Sequence, residues 1–292
     1  MPDRPPPPPG PPYRGRLAPT PSGWLHMGHA ATFRIAWERA RAAGGTLVYR
    51  TEDIDPDRCR ADYADGAMED LRWWGLDWDE GPDCGGPHAP YAQSARRHLY
   101  REVFAELRER GLIYPSPHSR KEIADCRPKR SPVDGDPVFP VQLRPGRAAY
   151  SRLADSQPVN WRFRVPDGRA LHFRDGRTGL KSFVAGRDFG DFIIWKKDGW
   201  PSYELAVVTD DHDMKITEVV RGEDLLLSTA RQILIYEALL IRPPAWYHCP
   251  LVKDPETGQR LSKTHKSLAL RALREQGHPP GQLLENAAGD PA

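Results

Sequence analysis

Residues 16–29 read Arg-Leu-Ala-Pro-Thr-Pro-Ser-Gly-Trp-Leu-His-Met-Gly-His. A strand-like run, Arg14–Ala18, enters the Pro-Thr-Pro-Ser-Gly turn. The pattern from Gly28 to Ala43 then reads as a helix, with Phe33, Trp37 and Ala40 at i, i+4 and i+7 on one face. Gly44-Gly45 ends it as a glycine C-cap, and Thr46–Thr51 follows as a β-rich run. This is a βαβ unit of the length parallel sheets require. His26 and His29, three apart at the helix start, share a face and can point at one ligand. A helix N-terminus adds unpaired N–H groups and a partial positive charge, which suits a phosphate. Gly28, lacking a side chain, lets a purine ring lie against the backbone.

Working outward, a helical stretch around Tyr63–Trp74 precedes a Gly/Pro-rich loop at Gly81–Pro90. A longer helix from about Ser94 to Arg110 places Leu99, Val103 and Leu107 on one face and stops at Gly111. From Ile113 to about Gly199 helical periodicity fades, and short strands such as Asn160–Val165 and Phe189–Trp195 alternate with turns. Tyr203–Asp211, Ile216–Arg221 and the helix Thr229–Leu240 restore the α/β pattern. The expected fold is α/β: a Rossmann-type parallel sheet with helices on both faces, split by an α+β insertion. The expected division is a proline-rich tail (1–13), a first catalytic half (14–112), the insertion (113–199), a second half (200–250), and a loop with a short helical tail (251–292).

The chain has 292 residues, 39% hydrophobic, with nine Trp and eight Phe, enough for one large domain with an insertion or two modest ones. The net charge of +2 does not announce a nucleic-acid partner. Between 120 and 164, however, ten basic residues (Arg120, Lys121, Arg127, Lys129, Arg130, Arg144, Arg147, Arg152, Arg162 and Arg164) face five acidic ones. Such a patch fits a phosphate backbone or a solvated basic surface equally well on charge alone. Four scattered cysteines without metal-type spacing read as reduced thiols, and no apolar run approaches a membrane span. A cytoplasmic protein with no membrane association is expected.

Far downstream lies Arg260-Leu261-Ser262-Lys263-Thr264. A lysine in such a polar loop can close over phosphates, and positioned charge is often the largest catalytic contribution in phosphoryl chemistry. With His26 and His29, this points to ATP-driven activation of a carboxylate.

Arg16–His29, Tyr49–Asp55, Asp210–Thr217 with Val219–Asp224, and Arg260–Thr264 together resemble the glutamyl branch of class I aminoacyl-tRNA synthetases, over about residues 14–270. The resemblance places His26 and His29 on the family's HIGH signature and Lys263 on the second lysine of KMSKS, with Arg260 replacing the first. It implies catalytic roles for His26, His29 and Lys263. It implies ATP contacts from Pro19, Gly28, His29, Arg260, Ser262 and Lys263, with ATP carried as its Mg²⁺ complex. Arg16 would bind the substrate carboxylate beside Ala18 and Thr20, Glu52 would take the α-ammonium group, and Tyr203 and Arg221 would complete the glutamate pocket. Arginine suits that task because its planar fork bonds carboxylates bidentately.

The sequence ends 28 residues after Thr264, where full-length members of the branch continue into an anticodon-binding part. It therefore resembles the branch's shortened paralogues, which attach activated glutamate to the queuosine base in the anticodon of tRNA(Asp). In that reading the partners are glutamate and queuosine-bearing tRNA(Asp), the insertion holds the anticodon stem-loop, and the protein is a monomer. Tyr150, Trp161 and Phe163 are stacking candidates for RNA bases, with core packing the ordinary fate of each. Two alternatives remain open: a truncated synthetase charging a tRNA 3′ end, and a non-catalytic RNA-binding paralogue. The paralogues often carry zinc in the insertion. At the matching places this chain has Ser116, His118, Phe139 and Leu143, and of these only His118 is a good zinc ligand, so no zinc is expected.

Overall fold

The computed structural model describes residues 12–150, 153, 158–252 and 269–280. Arg260, Ser262, Lys263 and Thr264, and the proline-rich stretch before residue 12, lie outside the described residues. Strand β1 (Arg14–Leu17), helix α1 (Met27–Ala42) and strand β2 (Thr46–Tyr49) form the βαβ unit. The strands run parallel, from Arg14 opposite Thr46 to Leu17 opposite Tyr49. Gly45 is required at the α1–β2 turn, because a Cβ there would lie 2.5 Å from the Tyr13 carbonyl oxygen. The α1 face against the sheet is Met27, Ala30, Phe33, Ala36 and Ala40. Trp37 is not central to it: its indole stands at the core's edge and donates to Asp77. Alanines on the buried row let the helix approach closely, which a tryptophan there would prevent.

Helix α2 (Ala61–Trp73) and helix α3 (Arg97–Glu109) follow. On α3 the fully buried residues are Tyr100 and Leu107, with Val103 and Phe104 half-buried beside them, while Leu99 turns partly outward. Leu107 and Val103 thus lie on the expected face, and Tyr100 rather than Leu99 completes it. The Tyr100 hydroxyl donates to Asp210 at 2.9 Å, so its burial leaves no polar group unpaired.

The second half supplies helix α5 (Tyr203–Asp213), strand β8 (Glu218–Gly222), helix α6 (Leu226–Ala238) and strand β9 (Ala245–Cys249). Strands β8 and β9 pair in parallel, and Thr217 N–H donates to the Arg14 carbonyl at 2.9 Å, which sets β8 beside β1. Side chains alternate across this sheet as strand geometry demands. Leu47, Tyr49 and Val220 join α1 and α2 in one core; Val48, Val219 and Trp246 join α5 and α6 in another. Both faces are thus covered, as in a doubly wound sheet.

Between the halves lie strand β3 (Ile113–Ser116), helix α4 (Arg120–Asp125), strands β4 (Asn160–Phe163), β5 (Ala170–Asp175), β6 (Gly179–Val184) and β7 (Ile193–Trp195). They divide between two sheets. β3, β4 and β7 make an antiparallel sheet of their own, whereas the β5–β6 hairpin adds to β9, with Asp175 opposite Trp246.

Helix α7 (Leu270–Glu275) docks on α2 through Leu270 and Leu273. Beneath it Asp70 is buried, neither carboxylate oxygen has a hydrogen bond among the described residues, and Arg274 Nη1 stands 3.3 Å away. Burial pushes the Asp70 carboxyl up to about 6. The folded chain therefore binds a proton more tightly here than the unfolded chain, and stability falls as pH rises from about 4 to about 6. Asp70→Asn is expected to stabilise the fold by roughly 1–2 kcal/mol at pH 8, and by nothing below pH 4. Thermal melting at the two pH values checks this; equal Tm shifts at both would refute it.

Candidate active site

The carboxyl ends of β1, β8 and β9 open on one edge of the central sheet. Ligands bind in α/β folds at such an edge, outside the strand ends where the chain switches direction. There the structure forms a cleft of about 420 Å³. It gathers the site residues expected from sequence within the described residues: Arg16, Ala18, Pro19, Thr20, His26, Gly28, His29, Glu52, Tyr203 and Arg221. Arg58, Leu251 and Val252 also line it and were not anticipated.

One end is the start of α1. His26 is the N-cap in extended backbone, and its Nδ1 accepts from Gly28 N–H at 3.1 Å. His29 Nδ1 accepts from His26 N–H at 3.5 Å. Two imidazoles thus build the reciprocal cap that serine and glutamate usually provide. Their rings stack with centroids 3.7 Å apart. With Nδ1 accepting, the neutral His26 ring carries its proton on Nε2. A Cβ on Gly28 would meet the His26 ring at 3.1 Å, so a side chain there would disturb the histidine pair.

The other end is charged and buried. Arg16 projects from β1, donates through Nη1 to the Val220 carbonyl at 2.7 Å, and lies 3.8 Å from Asp211. Glu52 follows β2; its Oε1 accepts from Arg50 Nη2 at 2.9 Å, and its N–H donates to the Pro19 carbonyl. Burial pushes the Glu52 carboxyl upward, while Arg50 and then Arg16 pull it back. Arg50 is fully buried and also donates to Asp211 at 2.7 Å. Tyr203 opens α5 beside Glu204, which is locked by Ser228 and Gln232; burial raises the Tyr203 phenol to about 12.

Arg221 is the penultimate residue of β8 and is 4% exposed. It donates to His248 Nε2, the Tyr203 hydroxyl, the Thr229 hydroxyl and the Leu225 carbonyl, all neutral acceptors. Among the described residues no carboxylate lies within ion-pair distance of it. Asp210, 3.9 Å from Arg50, is matched by its closer partner Arg96 at 2.6 Å. Arg16 and Arg50 are set against Glu52 and Asp211, whereas Arg221 makes no ion pair among the described residues. Burying a guanidinium without a counter-charge is costly, so the pocket is built for an anion. The side-chain carboxylate of an acidic amino acid is an anion of that kind.

Arg50, Asp211, His248 and Thr229 were missed as site residues. The available signal was a charged Arg50 directly following the apolar run Leu47–Tyr49, where a solvated arginine is out of place.

In the insertion, the positions matched to zinc ligands make other contacts. Arg162 donates to the Ser116 hydroxyl and stacks its guanidinium 4.2 Å from the Phe139 ring centroid, and His118 Nε2 lies 3.2 Å from the Leu143 carbonyl. Among the described residues no group of three or more His, Cys, Asp or Glu could hold a metal ion. Trp161 and Phe163 are in the core and Tyr150 is half-buried, accepting from Arg164. Arg144 is spent on Asp167 and Asp191. Arg120, Lys121, Arg127, Lys129, Arg130 and Arg147 remain exposed, and Arg152 lies outside the described residues.

Comparison with known proteins fits this site. A glutamyl-Q tRNA(Asp) synthetase of Nitratidesulfovibrio vulgaris is 45% identical over 272 residues, covering 92% of this chain and 83% of that protein. Another from Symbiobacterium thermophilum is 44% identical over 277 residues, covering 94% and 85%. A crystal structure of a glutamate tRNA ligase from Elizabethkingia meningosepticum, in complex with its amino acid, superposes with a TM-score of 0.76 at 31% identity. It covers 91% of this chain, which spans 53% of that ligase. The family of class I tRNA synthetases (E and Q), catalytic domain, matches residues 13–288. With that match across nearly its whole length, the chain belongs to the class I tRNA synthetases of the E and Q group.

Proposed function

We propose that this chain activates glutamate with ATP and transfers the glutamyl group to the queuosine base in the anticodon of tRNA(Asp). The observation that carries the proposal is the cleft holding buried Arg16 and Arg221, the latter without an ion pair among the described residues, together with the histidine-capped start of α1. Two relatives named for the queuosine reaction, each covered over more than four-fifths of its length, support the choice of acceptor.

In this reading Arg221 and Arg16 hold the substrate carboxylates and Glu52, fixed by Arg50, holds the ammonium group. The α-carboxylate needs no general base, since a carboxyl that ordinarily titrates at about pH 4 is ionised at neutral pH. Its oxygen attacks the α-phosphorus of ATP, and the bond to the β-phosphate oxygen breaks, releasing pyrophosphate. The α1 N-terminus and its two imidazoles lie where charge develops. An RNA hydroxyl then attacks the acyl carbon and AMP leaves. Lys263, Arg260 and Ser262 belong to the same proposal as phosphate contacts. Mg²⁺ would arrive with the nucleotide and neutralise phosphate charge; the site residues hold the amino acid and need no metal cage of their own. The proposal needs no zinc and places the protein in the cytoplasm as a monomer. No helix among the described residues is long and apolar enough to cross a membrane.

The test is glutamate transfer to purified tRNA(Asp) with and without queuosine. Labelling of the queuosine form alone is expected. Labelling of both forms at the 3′ end would favour a truncated glutamate–tRNA ligase instead, and absence of glutamate-dependent ATP–pyrophosphate exchange would leave only an RNA-binding role.

A further inference from the structure

We infer that His248, clamped by Asp175, is a positioning residue that aims the Arg221 guanidinium at the substrate carboxylate, so that the β5–β6 hairpin takes part in glutamate binding. The inference rests on the proposed glutamate site.

Asp175 ends β5 with its side chain fully buried. Its Oδ1 accepts from Arg177 N–H, Thr178 N–H and the Thr178 hydroxyl. Its Oδ2 accepts from His248 N–H at 3.0 Å and stands 2.7 Å from His248 Nδ1. That shared oxygen fixes the tautomer: Nδ1 carries the proton, so Nε2 presents only a lone pair. Nε2 faces Arg221 Nε at 3.2 Å and the Thr229 hydroxyl at 3.1 Å.

The donor inventory of Arg221 then closes. A guanidinium has five N–H donors in a rigid plane. Nε is taken by His248, Nη2 by the Thr229 hydroxyl and the Leu225 carbonyl, and one Nη1 hydrogen by the Tyr203 hydroxyl. One Nη1 hydrogen is left for the cleft. A carboxylate in place of His248 would orient the arginine equally well, but would cancel the charge the substrate must meet. A neutral imidazole orients without cancelling. Burial, then the neighbouring Arg221, lowers the His248 pKa to about 4, which keeps the ring neutral at neutral pH. Asp175 supplies the orientation one bond further away; against burial, which raises it, the Thr178 N–H, His248 and the Thr178 hydroxyl lower its pKa to about 2 and hold it ionised.

The test compares His248→Asn with His248→Gln in glutamate-dependent ATP–pyrophosphate exchange. Asparagine keeps a donor for Asp175 but is too short to accept from Arg221. Glutamine places a carbonyl oxygen near the Nε2 position. His248→Asn is expected to raise the glutamate KM by about 10- to 100-fold, the scale of one hydrogen bond to a charged group. Its ATP KM and kcat should stay within about threefold of the parent, and His248→Gln should stay within about threefold in every parameter, because differential effects on one substrate isolate that substrate's binding. A glutamate KM unmoved in His248→Asn would overturn the inference. So would glutamate and ATP KM rising together in both variants, or a His248→Asn chain that fails to fold, since each assigns the residue to the core. A parent protein with no exchange activity at all would instead defeat the proposed function.

Discussion

Arg221→Ala is expected to lower kcat/KM for glutamate in ATP–pyrophosphate exchange by about 10²–10⁴-fold, equivalent to about 3–5 kcal/mol for removing one partner of a buried charge pair. The residue is buried, held at its Nε and Nη atoms by four neutral acceptors, and unmatched by any carboxylate among the described residues. Its charge is thus available to the ligand. The loss should appear mainly in the glutamate KM, with ATP affinity preserved, because the hydrogen bonds of Arg221 run to β9, α5 and α6 rather than to the start of α1. Arg221→Lys should recover little, since a lysine cannot bond to His248, Thr229 and Tyr203 together. A folded Arg221→Ala protein with glutamate kinetics within tenfold of the parent would remove the residue from the site.

His29→Ala should act differently. Loss of a donor aimed at a phosphoryl transition state raises the barrier by about 2–4 kcal/mol, so kcat for adenylate formation should fall about 30- to 1000-fold. The ring stacks on His26 at the helix start, and its contact with His26 N–H is long at 3.5 Å, so the cap itself contributes little. The expected cost in fold stability is therefore below about 1 kcal/mol. Single-turnover measurement of pyrophosphate release, beside a melting curve, separates the two effects. Unchanged release in a folded variant would exclude a catalytic role for His29.

These two residues show different kinds of legibility. His26, Gly28 and His29 are adjacent, and a three-residue spacing at a helix start is a statement about geometry, so their convergence could be read in one dimension. The βαβ unit was legible for the same reason: its periodicity, glycine cap and strand lie within about forty consecutive residues. Helix faces were less secure. Trp37 and Leu99 look like core residues by hydrophobicity, yet the buried rows run through Ala36 and Tyr100. Close helix–sheet approach selects the small residue, and a buried Asp210 satisfies the tyrosine hydroxyl.

By itself, the sequence determined the α/β class, the phosphate-type helix start and, through several motifs in order, the glutamyl synthetase branch. Tertiary structure alone decided what surrounds them. Arg50 pairs with Asp211, Asp175 with His248, and the β5–β6 hairpin with β9, all across long separations. Each of these residues is commonplace in its local stretch. Their roles come from burial and from which partner stands within hydrogen-bond reach, and those quantities exist only once the chain has closed on itself.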